Sequence, residues 1–317
     1  MDPADGSMLS RSARRPALAR CLAGVAGLAA AVALAAPASA VAEDPPFIEW
    51  TSLAPTLTTG YDPTSENDCV RGSTRCVDSV IREMTRRFDR LADDCDHDSI
   101  FALSYLRTTE EYRRTIEDPS FFEDTAFVNH EDAVFAEYYF DAYDDWHAGR
   151  TEQVPPAWRI AFQASEDKAV SGAGNMALGM NAHIQRDLPF VLAGIGLVKP
   201  DGSTRKTDHD KVNQFLNRVA DDLIPELAAR FDPTMDDSNL PGQLDDIVSF
   251  QLVPSWRELA WRNAERLANA PTPEARAQVA QDIEDYAASQ AQILKAQALY
   301  GPLQSSASRD AYCAAHG

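Results

Sequence analysis

A stretch that is apolar on nearly every side, Asn175 to Leu197, sets the strongest limit on how this chain can fold. Read at 3.6 residues per turn, it has no polar face to give to water, so it belongs at the centre of the molecule with other helices packed around it. Within it, LGMNAHIQRDLP (Leu178 to Pro189) places His183 and Asp187 one turn apart on a single face, with Arg186 beside them and Met176, Gly179, Met180 and Phe190 close by. Polar groups buried there must find partners. Pro189 cannot donate an amide bond back to Gln185, and the helix is expected to bend beside the pair.

Helical periodicity continues on either side. Val77, Val80, Ile81, Met84, Phe88 and Leu91 form one apolar stripe, and Ile100, Phe101, Leu103, Leu106, Tyr112 and Ile116 form a second. Asn129 to Trp146 reads as a third helix carrying Phe135, Tyr138, Tyr139 and Ala142. Pro155 and Pro156 open a short one with Trp158, Ile160 and Phe162. Thr207 to Phe231 follows, with Thr207 and Asp210 as an expected capping box and Pro225 expected to kink or split it. Pro254 to Ala268 forms a shorter helix. Thr272-Pro273-Glu274 gives an N-cap, an N1 proline and an acidic first turn for a last helix to Tyr300. Strand signals are nearly absent, so the expectation is an all-α, single-domain bundle of about eight helices.

The N-terminus has the order of an export signal. Arg11, Arg14, Arg15 and Arg20 precede the apolar run Cys21 to Ala36, and Ala38-Ser39-Ala40 fits a cleavage site after Ala40, with Ala42 as second choice. The run falls short of the roughly 20 apolar residues of a membrane span, so a secreted protein with no stable membrane anchor is expected. Residues 41–67, rich in proline, read as an extended arm, and 68–317 as the all-α domain. Beyond the signal remain Cys69, Cys76, Cys95 and Cys313, an even set that allows three pairings in an oxidising compartment. Cys69 with Cys76 is the favoured local bridge, leaving Cys95 with Cys313. The six residues between Cys69 and Cys76 do not suit a zinc thiolate pair. A net charge of -20 argues against a nucleic-acid partner held by general electrostatics.

VPPAWRIAF, LGMNAHIQRDLP, DHDKVN and WRELAWRNAERL, in that order across Val154 to Leu267, resemble domain-of-unknown-function family 5995. Trp158, Asn181, His183, Asp187, Pro189, Asp210, Asn213, Arg257 and Trp261 fall on its pattern, and the resemblance implies no activity or cofactor. Leu178-Gly179 followed by His183 and Asp187 is also similar, over about a dozen residues, to a helix of zinc-dependent phospholipases C and related nucleases. That similarity implies zinc held by His183 and Asp187. The histidine expected just after the aspartate is absent, and Trp50 is not N-terminal.

Two functional expectations follow. In the first, an exported metal-dependent hydrolase of phosphate esters uses His183, Asp187 and Arg257 at its site, and Trp158, Asn181, Arg186, Asp210, Asn213 and Trp261 line a ligand or small-molecule substrate. Further metal ligands would come from Asp96-His97-Asp98, His130-Glu131-Asp132 or Asp208-His209-Asp210. Capping is the plainer role for such helix-end clusters, as for Asp98 and Asp208. In the second, a non-catalytic binding or scaffold protein keeps His183 and Asp187 as a buried structural pair, with Arg257 neutralising Asp187 or Asp210. Ser171 to Asn175 reads as a glycine-rich entry to the central helix, and Asp144-Asp145 and Asp221-Asp222 as solvated faces.

Overall fold

The structure, a computed structural model, describes residues 60–236, 247, 250–301 and 304–317. The expected export signal, residues 41–59 of the expected arm and Trp50 lie outside the described residues. Every regular element among the described residues is helical, a single Val198–Thr204 bridge aside.

Capping chemistry sets most boundaries. Helix α1 (Thr74–Asp93) starts where the Ser73 side chain accepts from Arg75 N–H, and buries its expected stripe, with Ile81 only partly covered. Helix α2 (Ser99–Thr115) follows after Cys95, then α3 (Thr125–His147), capped by Asp124 on Phe127 N–H, four residues earlier than its apolar stripe announces. A 3-10 turn (Thr151–Gln153) leads to α4 (Pro156–Glu166), with a proline in its first turn as expected.

The central helix is three segments in one. Helix α5 (Gly172–Met180) is capped by the Ser171 side chain on Gly174 N–H, so the glycine-rich stretch is the first turn of the helix itself. A π-helical segment (Asn181–Asp187) and α6 (Leu188–Ile195) continue it, and Gly196, at φ 100°, ends it in a conformation that favours glycine. The expected proline bend is resolved as the π turn: Leu188 N–H reaches back five residues to His183 O. Helices α2, α3 and α4 pack around this central helix, joined by α9 (Val253–Ala268) and α10 (Pro273–Gln297).

Between α6 and α9 the chain departs from expectation. A short α7 (Lys206–Lys211) breaks at Val212 from α8 (Asn213–Arg230), and Pro225 sits inside α8 without splitting it. Pro225 and Asp221 are exposed, so the carbonyl that the proline leaves without an amide can turn to water. The Thr207–Asp210 capping box does not form, because the helix begins earlier: Lys206 N–H is taken by Thr204 Oγ1, and Asp210 instead pairs with Lys206 at 2.7 Å.

Helix α11 (Ser306–His316), which the apolar pattern did not announce, opens with a Ser305–Ser308 capping box. Both disulfides join as expected, Cys69–Cys76 and Cys95–Cys313, the latter spanning 218 residues and tying α11 to the α1–α2 turn. A closure that long restricts the unfolded chain by roughly 5 kcal/mol in the chain-entropy account. No described helix is long and apolar enough to cross a membrane.

Candidate ligand-binding site

The π segment turns the two ends of the motif into a fixed hydrogen-bond set. His183 Nδ1 lies 3.0 Å from Asp187 Oδ2, which also accepts from Trp158 Nε1 at 2.8 Å on α4. Asp187 Oδ1 accepts from Arg186 Nη1 at 3.0 Å, and Arg186 Nε donates to Glu284 Oε1 at 2.8 Å on α10. Asp187 is 0% exposed, and both its oxygens face donors. With both Asp187 oxygens accepting, His183 donates through Nδ1–H. Burial outweighs the pull of Asp187 and holds the imidazole pKa below its ordinary value, so the ring is neutral near pH 7.

This arrangement removes the expected metal. His183, Trp158 and Arg186 engage both oxygens of Asp187, and the His183 nitrogen that faces Asp187 is taken by that bond. Among the described residues no three His, Cys, Asp or Glu side chains come together as metal ligands would. The residues present therefore do not fit zinc. The neutralising partner of Asp187 is Arg186, not Arg257. Glu284, the acid that completes the set, was missed in the sequence, although it interrupts the apolar row Ala280, Ile283, Ala287 and Ala291, which could have revealed it.

The opposite edge of His183 meets a cavity. Its Nε2 is buried without a hydrogen-bond partner. The ring is stacked on Phe135 (centroids 3.5 Å apart, planes 5° apart) and meets Tyr105 edge-on at 4.5 Å. Beyond it opens a cavity of about 110 Å³ between α2, α3, the π segment, α8 and the start of α9. Phe101, Tyr112, Phe215, Phe250 and Leu216 make its wall mostly apolar. Gly179 keeps that wall in place, since a Cβ there would stand 2.4 Å from the Phe101 ring.

Ser104, Thr108, Thr109 and Tyr112 on the wall are hydrogen-bonded within the protein, but other polar atoms there are not. Tyr105 Oη, Asp132 Oδ2 and Arg257 Nε are buried without partners. Burial pushes the Asp132 carboxyl up to about 8 and that of Glu131 up to about 7, the latter held back by Arg257. Loss of water lowers the Arg257 guanidinium to about 10; its Nη2 donates to His209 O at 2.9 Å. A buried carboxyl oxygen with no donor facing it, as Asp132 Oδ2 is, is costly to keep.

Of the expected site residues, His183 and Arg257 line the cavity. Trp158, Arg186 and Asp187 form the support behind His183. Asn181 donates to Ala287 O at 2.9 Å and accepts from Gln185, fixing the π segment to α10. Trp261 packs with Leu188 and Leu192 and donates to Glu265, Asp210 is half-exposed against Lys206, and Asn213 begins α8. These last three are not brought to the cavity.

Among the helix-end clusters the outcome divides. Glu131 and Asp132 face the cavity, but His130 turns away to Cys69 O at 2.9 Å. Asp208 accepts the amides of Glu123 and Asp124 at 2.8 and 2.9 Å, capping α3 across space instead of its own helix. Asp98 makes no side-chain cap and faces His147 at 3.5 Å. His97 belongs to the α11 anchor.

No curated protein and no solved structure matches the chain. The sequence profile of one family matches residues 77–297, from α1 to the end of α10, and so spans every element that builds the cavity and its support. The chain therefore belongs to the family of unknown function DUF5995.

Proposed function

We propose that this protein binds a small, largely apolar molecule in the cavity between α2, α3, the π segment, α8 and α9. One observation carries the reading: His183 Nε2, Tyr105 Oη, Asp132 Oδ2 and Arg257 Nε, from four different elements, are buried without partners and belong to side chains lining one apolar space. A folded core leaves few such atoms unsatisfied, and several around one cavity match the wall of a ligand site. Binding of a neutral, environment-sensitive naphthylamine dye tests this. Wild type should enhance its fluorescence saturably, and Thr108→Trp, which fills part of the wall, should abolish that. Equal enhancement by both proteins would reject the cavity as the site.

Acid–base catalysis on the bound molecule is a second reading. It is favoured by the hold of Asp187 on His183 Nδ1, which leaves Nε2 as the one basic nitrogen beside the cavity. Hydrolysis of phosphate esters through a metal is the reading the geometry supports least, since it needs the Asp187 oxygens that Trp158 and Arg186 occupy. Export with cleavage after Ala40 remains part of the proposal. The two disulfides support it, and a mature N-terminus at Val41, read by sequencing the exported protein, checks it.

A further inference from the structure

We infer that the cavity takes a primary amine with an apolar body, its ammonium group received by Asp132, Tyr105 and His183. The inference rests on the cavity being a small-molecule site. The three side chains come from α3, α2 and the π segment, and each brings to the wall an oxygen or nitrogen that is buried and without a partner. All three can accept. His183 Nε2 carries the lone pair, because Nδ1–H is given to a carboxylate that itself only accepts. Among the described residues no donor competes for Asp132 Oδ2, and the Tyr105 hydroxyl has two lone pairs. An ammonium head offers three N–H donors and no acceptor, which matches this set. An alcohol offers one donor. A carboxylate offers none and would face Asp132 and the His183 lone pair together.

Ring faces favour the same head group, and an arriving cation draws the raised Asp132 carboxyl toward its ionised form. The lining holds two carboxyls, Glu131 and Asp132, against one guanidinium, Arg257, which is itself turned to the carbonyl and ring of His209. Phe101, Phe135 and Tyr112 line the same cavity, and aromatic faces attract a desolvated cation. The apolar remainder, toward Phe215, Leu216 and Phe250, suits a hydrocarbon body.

Calorimetric titration with hexylamine, hexanol and hexanoate tests the inference on the whole folded chain. Hexylamine should bind roughly tenfold or more tightly than hexanol, with hexanoate weakest, a difference of about 1.4 kcal/mol per decade. In Asp132→Asn the advantage of hexylamine over hexanol should vanish, and in Tyr105→Phe it should shrink; circular dichroism confirms that both variants are folded. Hexanol binding as tightly as hexylamine, with Thr108→Trp blocking both, would overturn the amine and leave the cavity standing. Hexylamine still favoured in Asp132→Asn would equally overturn it. Failure of all three compounds to bind wild type would remove the cavity reading and the inference with it.

Discussion

Two histidines in this protein are buried to the same degree, His97 and His183, each 3% exposed and each against a carboxylate, yet only one of them is finished. His97 Nε2 lies 2.9 Å from Asp310 Oδ1, and its Nδ1 lies 3.0 Å from Arg309 Nη1. Arg309 also donates to Asn175 Oδ1 at 2.6 Å and Val170 O at 3.3 Å, so α11 is locked into the bundle through a set in which both ring nitrogens are used. His183 has the same kind of partner on one side and an unfilled space on the other. A complete set of this kind holds helices together; an incomplete one beside a cavity has a valence to offer. Burial and proximity to an acid do not separate His97 from His183; the second nitrogen does.

Breaking the finished set should cost most. Arg309→Met leaves His97 Nδ1, Asn175 Oδ1 and Asp232 without their cation, and should lower stability by about 3–5 kcal/mol in urea unfolding. His183→Gln, by contrast, leaves Asp187 its bonds from Trp158 and Arg186 and should cost about 1–2 kcal/mol. If the two costs are equal, or reversed, the distinction between the regions fails.

Acid sharpens the contrast. Burial and the Arg309 charge push His97 down to about 4 in the folded chain, below its ordinary unfolded value near 6.5. The unfolded chain then binds the extra proton between those values, so stability is fully present above about pH 6.5 and is lost as pH falls toward about 4, by roughly 2–3 kcal/mol. Urea unfolding across that window should show the slope, and His97→Gln should flatten it. Asp132 behaves in the opposite sense. Its folded carboxyl is raised to about 8, so its contribution is present at low pH and is lost as pH rises through about 8. Asp132→Asn should therefore be more stable than wild type at pH 8.5, by roughly 1–3 kcal/mol, with the gap narrowing below pH 6. Thermal melts at the two pH values measure it. The smallest effect belongs to a residue outside both regions: Asp210→Asn, which breaks only a surface pair with Lys206, should change urea stability by less than about 0.5 kcal/mol.

The helices and disulfides were legible because their signals are local. Apolar spacing at 3.6 residues found the stripes of α1, α2 and the central helix, and cysteine parity together with the short Cys69–Cys76 gap found the pairing. The His183–Asp187 contact was legible for the same reason, being one turn apart. What sequence spacing could not supply was the direction of Glu131 and Asp132. In the strip HEDA, three successive polar residues fan around a helix, and only packing decides that His130 faces Cys69 while the two acids face the cavity. Arg186 over Arg257 as the partner of Asp187 is likewise a question of which helix lies behind the motif, answered by Glu284 on α10. Pro225 misled because its cost depends on whether the freed carbonyl is wet. Helix α11, with few large apolar residues, is held through Arg309, Asp310 and Cys313, a kind of attachment that has no periodicity to read.

That attachment sets an order of events for a chain emerging from its N-terminus. Helix α11 is made after every element it locks, and it brings at once the thiol that closes on Cys95 and the guanidinium that fills the hole among His97, Val170 and Asn175. Until it arrives, the start of the central helix keeps an empty polar socket and the α1–α2 turn an unpaired cysteine. Quality control during folding would thus have a late checkpoint: a molecule whose Cys95 no longer reacts with a thiol reagent has assembled α1, α2 and α11 together.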